Sequence, residues 1–179
     1  MPNHSQALEK LATLLQTSGA KAVISTSAVP RSTIYDVDYR TAVIGLVFAA
    51  FSSPVSITAS RRMSAARLKL LQFATIRPAI IRVLEEWSKE DAQSPLALTY
   101  SVRMRHAFIS DTVHDDMTEL LISCGIFERD GGQIQSGSKI DKLDKIVKEI
   151  KDKGLFAIEQ DALEKLSEIR ITNAMLEGW

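Results

Sequence analysis

The fold turns on residues 111–135, DTVHDDMTELLISCGIFERDGGQIQ. Asp111 or Thr112 can cap a helix whose apolar side chains Met117, Leu120, Leu121 and Cys124 recur at helical spacing. Gly125 stands where such a helix stops, because glycine enters the left-handed conformation of a helix end without a Cβ penalty. Two short runs follow at once, Ile126 to Asp130 and Gln133 to Gln135, joined through Gly131 and Gly132. An Asp-Gly-Gly junction between such runs predicts a tight β-hairpin, since glycine supplies the positive φ the turn needs.

Helix, glycine stop, hairpin is the order that ends a winged-helix domain; a lone hairpin in an otherwise helical protein is the alternative. In a DNA-reading winged helix, the helix before the hairpin enters the major groove. Here that helix carries Asp111, Asp115, Asp116 and Glu119 with no Lys or Arg, and the hairpin adds Glu128 and Asp130 against Arg129. Phosphates would repel this face. The unit therefore reads as a protein-docking module, with Asp115, Asp116, Glu119, Phe127 and Ile134 as the candidate docking residues.

Downstream, Lys139–Lys153 and Ile158–Leu176 each carry one apolar stripe and are joined by a short link, which makes them a candidate antiparallel helical pair. Upstream, Tyr39–Phe51 follows Asp38 and has hardly any polar face, the pattern of a central helix. Met63–Ile76 reads as another helix, Pro78 disfavours a helical Arg77 so that a break or kink is expected there, and Pro78–Lys89 continues with Ile80, Ile81, Leu84 and Trp87 facing inward. Ser5 can cap a first helix that stops at Gly19. Lys21–Arg31 fits a strand or an extended loop, Ala92–Pro95 fits a linker, and Leu96–Ile109 fits a strand or a helix. The expected fold class is mainly α: a helical domain over residues 1–95 with a basic middle segment, and over 96–179 a winged-helix-like helix plus β-hairpin followed by the C-terminal helical pair.

The chain has 179 residues, with 22 Lys+Arg against 22 Asp+Glu. At 45% hydrophobic and 25% charged residues it is an ordinary globular composition, which excludes disorder, collagen and a disulfide scaffold. The single cysteine cannot form an internal bridge. Met1–Lys10 lacks the apolar region of a signal peptide, and the run Thr41–Phe51 falls short of the ~18 residues of a membrane span, so a cytoplasmic, non-membrane protein is expected. The zero net charge conceals a division. Residues 39–84 hold seven cations (Arg40, Arg61, Arg62, Arg67, Lys69, Arg77, Arg82) and no acid, whereas residues 85–179 hold 12 basic and 19 acidic side chains.

No catalytic signature emerges, so the chain is expected not to be an enzyme and to need no cofactor or metal. A Walker A run and GxGxxG are absent. His4, His106 and His114 are scattered, and His114-Asp115-Asp116 on a helix would point three ways. Glu149-Ile150-Lys151 resembles a loose nuclease pattern but lies on a helical segment, where i and i+2 diverge. Cys124, between Ile122 and Ile126, reads as a buried core thiol. The cations Arg61, Arg62, Arg67 and Lys69 cluster around one helix start, and Arg103 and Arg105 form a second small group. They would give sequence-independent phosphate contact; equally, they would form a rim that pairs with the acidic C-terminal half.

The apolar helix Tyr39–Phe51, the Leu68–Trp87 stretch with its central Pro78, and the helix-hairpin Val113–Gln135 together resemble the kite-type accessory subunits of SMC complexes. More particularly, they are similar to the middle components of ABC-three-component defence systems, of which Lamassu is one. The match is one of arrangement over about half the chain, and only one of the two winged-helix units usual in that family is definable. The resemblance implies an SMC-like ATPase and a nuclease effector as partners, in an assembly that senses foreign DNA in bacterial immunity against phage or plasmids. This chain would be its non-catalytic adaptor. A stand-alone winged-helix transcription regulator is the rival expectation.

Overall fold

A computed structural model describes residues 36–55, 60–89, 105–172 and 175–176. The expected helix at 5–19, the segment 21–31, the linker 92–95, most of 96–109 and Arg103 lie outside the described residues. Helix α1, Val37–Phe51, starts two residues earlier than Asp38 suggests, because Asp36 is the cap: its carboxylate accepts from the Tyr39 N–H at 2.8 Å. Val43, Ile44, Leu46 and Val47 are fully buried and Phe48 nearly so, on every side of the helix. Burying each such side chain contributes roughly 1.5–3 kcal/mol, so α1 is the centre of the core.

Two residues of strand, β1 (Ser53–Pro54), follow α1 and pair with β2 (Arg61–Ser64). The stretch read as one helix from Met63 is corrected here. Met63 is a buried strand residue opposite Ile134, and helix α2 runs only from Ala65 to Thr75. Ser64 makes the switch, turning extended and accepting the Arg67 N–H on its hydroxyl at 3.2 Å. Pro78 opens α3 (Pro78–Lys89) as expected. Residues 105–109 are helical, and α4 spans Thr112–Ser123. The hairpin then forms β3 (Phe127–Asp130) and β4 (Gln133–Ser136) around Gly131 at φ 56°, with Gly125 at φ 74° ending α4. Helices α5 (Ile140–Asp152) and α6 (Ala157–Glu168) complete the described elements. The expected helix to Leu176 is interrupted: α6 stops at Glu168 as the backbone turns extended at Ile169, and Met175 and Leu176 are helical again.

The fold is mainly α with one small antiparallel sheet of order β1-β2-β4-β3. The second hairpin strand therefore lies inside, between β2 and the first, which is the winged-helix-like arrangement. Strands from both sides of the expected division at 95/96 share this sheet, and α1 is covered by both α2 and α5. Each C-terminal helix packs on α1 more than on its sequence neighbour. Gly45 lets α5 come close: a Cβ there would sit 2.8 Å from Leu143 Cδ1 and 3.1 Å from Val147 Cγ2.

Candidate protein-docking and nucleic-acid interface

Helix α4 faces two ways. Its inward side starts at Asp111, which makes no capping hydrogen bond. The carboxylate is instead buried and accepts from Arg40 Nη2 at 3.0 and 3.3 Å and from Arg77 Nη1 at 3.3 Å. The Arg40 side chain is 1% exposed, and a guanidinium taken that far from water demands a carboxylate partner. Arg77 also lies over the Phe73 ring at 4.0 Å. One turn on, His114 is 3% exposed, with Nδ1 3.1 Å from Gln72 Oε1 and Nε2 3.3 Å from the Thr118 hydroxyl. Burial is the main cause that lowers its pKa from 6.5 to about 4, so the ring is neutral at physiological pH.

The outward side is acidic. Asp115 accepts from Lys69 Nζ at 2.6 Å, and Glu119 pairs with Arg129 of β3. Asp116 is exposed and makes no ion pair among the described residues. Beside these acids Leu120 is 42% exposed, and Ile109, just before the helix, 59%. His114 points in while Asp115 and Asp116 point out, the divergence that helical spacing requires.

Three expectations change. Phe127 and Ile134 are wholly buried, Phe127 against Phe48 at 4.8 Å between ring centres, so they hold the hairpin to the core and touch no partner. Cys124 is exposed, not a core thiol, because it follows the last turn of α4 and Leu121 takes the inward position. Nor do the four clustered cations form one free patch. Arg61 reaches Asp144 of α5 at 2.5 Å and lies over the Phe48 ring, and Lys69 holds Asp115. Arg62 and Arg67 make no ion pair among the described residues, and Arg62 is exposed. Arg105 is exposed on the short helical segment before α4.

Four of the seven cations in residues 39–84 (Arg40, Arg61, Lys69, Arg77) thus pair with Asp111, Asp115 and Asp144 from the acidic half. Pairing with the acidic half holds for these four, but Arg40 does so in the buried core and not on a solvated rim. The buried group around Asp111 was not legible in the sequence, where Arg40 merely interrupts an apolar helix and Asp111 looks like a cap. A single basic residue inside such a helix is the signal that could have found it, since it must meet an acid. Tyr39 is a second case: its hydroxyl donates to the buried Glu159 of α6 at 2.8 Å. Burial, then that bond, push the phenol above its ordinary pKa.

A groove of about 390 Å³ between α3 and α6 is lined by Pro78, Ile81 and Ala162 with Arg82, Glu85 and Lys165 at its rim. A smaller one of about 150 Å³ reaches His114 beside Asp115, but Lys69 holds that carboxylate. Among the described residues no group of three or more His, Cys, Asp or Glu side chains is placed to hold a metal ion. Within the same residues no helix is long and apolar enough to cross a membrane. No family model, curated protein or solved structure matches the chain.

Proposed function

We propose that this chain is a non-catalytic adaptor subunit, and that it docks a partner protein through the outward side of α4. In keeping with the kite-type resemblance, the partners are an SMC-like ATPase and a nuclease effector, in an assembly that senses foreign DNA in bacterial defence. One observation carries the reading. The helix at the position of a DNA-reading helix presents Asp115, Asp116 and Glu119 around exposed Leu120, with no cation of its own. Two of those acids are already matched by Lys69 and Arg129, which leaves Asp116 and an apolar side chain for a partner. The same helix counts against a stand-alone DNA-binding regulator, because phosphates approaching it would meet carboxylates. Auxiliary, sequence-independent DNA contact falls to Arg62 and Arg67.

Reading the neighbouring genes, and co-expressing this chain with any SMC-like ATPase and nuclease found there, tests the proposal. Co-purification is expected, and it should fail for the double variant Asp116→Lys, Leu120→Asp while the melting temperature stays within a few degrees. A variant that still assembles overturns the α4 docking face; a wild-type chain that captures neither subunit overturns the adaptor. Arg62→Glu with Arg67→Glu should weaken salt-sensitive DNA binding by the complex about tenfold, and unchanged binding would remove the DNA role.

A further inference from the structure

Helix α5 with its flanking Lys139 and Lys153 holds six lysines and four acids, a pattern that reads in the sequence as a solvated face laced by i,i+4 pairs. The fold sends the acids elsewhere. Asp144 accepts from Arg61 Nη2 of β2 at 2.5 Å, which takes it from Lys148, its neighbour one turn on. Glu149 accepts from Lys153 Nζ at 2.5 Å, which takes it from Lys145. Asp141 lies in the first turn, where the helix dipole favours an acid, and Asp152 is the last residue of the helix. Lys142, Lys145 and Lys148 are left over. All three are exposed and make no ion pair among the described residues. The only acid between them in sequence is Asp144, already committed to Arg61.

Their spacing decides what they can do together. Each step of three residues advances about 4.5 Å along the helix and turns about 60° around it. The three lysines therefore share the side opposite Leu143, Val147 and Ile150, which are buried in the core. Lys139 and Lys151, also exposed, prolong the row at its two ends to about 18 Å. Such a row suits one kind of partner. A membrane surface needs an apolar helix face to bury, and that of α5 is already spent on the core. A partner protein draws most of its affinity from buried anchors, and the middle of this row offers ammonium groups instead. Phosphates ask for cations alone.

We infer that Lys142, Lys145 and Lys148 bind the phosphodiester backbone of duplex nucleic acid without reading its bases. The site goes beyond the adaptor reading: it belongs to the chain by itself, and it is separate from Arg62 on β2 and Arg67 on α2.

The test titrates the isolated full chain into a fluorescent DNA duplex of about 30 base pairs, between about 50 and 200 mM salt. Lys142→Gln, Lys145→Gln and Lys148→Gln together should weaken binding at least tenfold at the low-salt end. The slope of log Kd against log salt should shrink by about 0.9 for each lysine removed. The melting temperature should stay within a few degrees, since none of the three holds an acid. Arg82→Gln, Lys165→Gln and Arg170→Gln remove the same charge from exposed positions on α3, on α6 and just beyond it, and should leave binding within about twofold of wild type. No duplex binding by the wild-type chain, or equal losses from the two triple variants, overturns the row. So does tighter binding to polyglutamate or to phosphatidylserine vesicles than to the duplex. Duplex binding through the row by a chain that captures no ATPase keeps the row and removes the adaptor. A chain that captures the ATPase and binds no duplex removes the row and leaves the adaptor standing.

Discussion

Asp111 and Asp116 lie five residues apart at the start of α4 and spend their charge in opposite ways. Asp111 is buried and shared between two arginines from other elements, so it fixes how α1, the α2–α3 corner and α4 meet. Asp116 is exposed and holds nothing among the described residues. The difference teaches that a count of acids on a helix says little until each is assigned to the interior or to solvent. By that assignment the acidic face is smaller than the sequence suggests, and what remains is available to a partner.

The comparison is broken most directly by removing each carboxylate in turn. Asp111→Ala removes the buried carboxylate that Arg40 and Arg77 share and should destabilise the protein by about 3–5 kcal/mol, read from the urea midpoint. Asp116→Ala should shift it by less than about 0.5 kcal/mol. Similar losses from both would show that Asp111 is no more structural than its neighbour.

Acid pH sharpens the same contrast through His114. In the unfolded chain its imidazole takes a proton near pH 6.5, whereas the folded ring, buried between α2 and α4, resists until about 4. Between those values the unfolded state binds more protons. Stability should therefore be level above pH 6.5, fall by up to about 3 kcal/mol down to pH 4, and level off below. His114→Gln should flatten that part of the profile, and a variant with the wild-type slope would show that other groups cause it.

The smallest effects belong to the exposed pairs. Lys69→Ala and Glu119→Ala should each cost less than about 1 kcal/mol, with the difference shrinking at high salt, as solvated ion pairs contribute little. A loss comparable to that of Asp111→Ala would place these pairs in the interior group.

Helix, glycine stop and hairpin were legible because each depends on local rules: apolar spacing over Met117–Leu121, Gly125 past the helix end, and Gly131 in the turn. The same holds for α3 behind Pro78 and for the inward stripe Leu143, Val147 and Ile150 of α5. β2 was not legible. Arg-Arg-Met-Ser has no β-branched residue and no alternation, and it is a strand because β4 pairs with it from a distant part of the chain. The interior assignments of Arg40, Asp111, His114 and Glu159 were hidden for a related reason. Polar side chains go inside only where another element supplies the partner, and no single stretch contains both halves of such a contact. In the candidate site, composition named Asp115, Asp116 and Glu119 correctly as outward acids. It misplaced Phe127, Ile134 and Cys124, whose exposure depends on where the hairpin swings after Gly125.

The pairing of β2 with β4 also bears on the order in which this chain can be made. As it emerges from the ribosome, α1 to α3 precede the hairpin and α5 by dozens of residues. Val43, Leu46 and Phe48 then have only part of their cover, and the inner edge of β2 stays open until residues 133–136 arrive. The early half is thus a nascent species with sticky apolar surface and an unpaired strand, the kind that chaperones hold. Fusing or truncating the chain after α3 would make that transient state permanent.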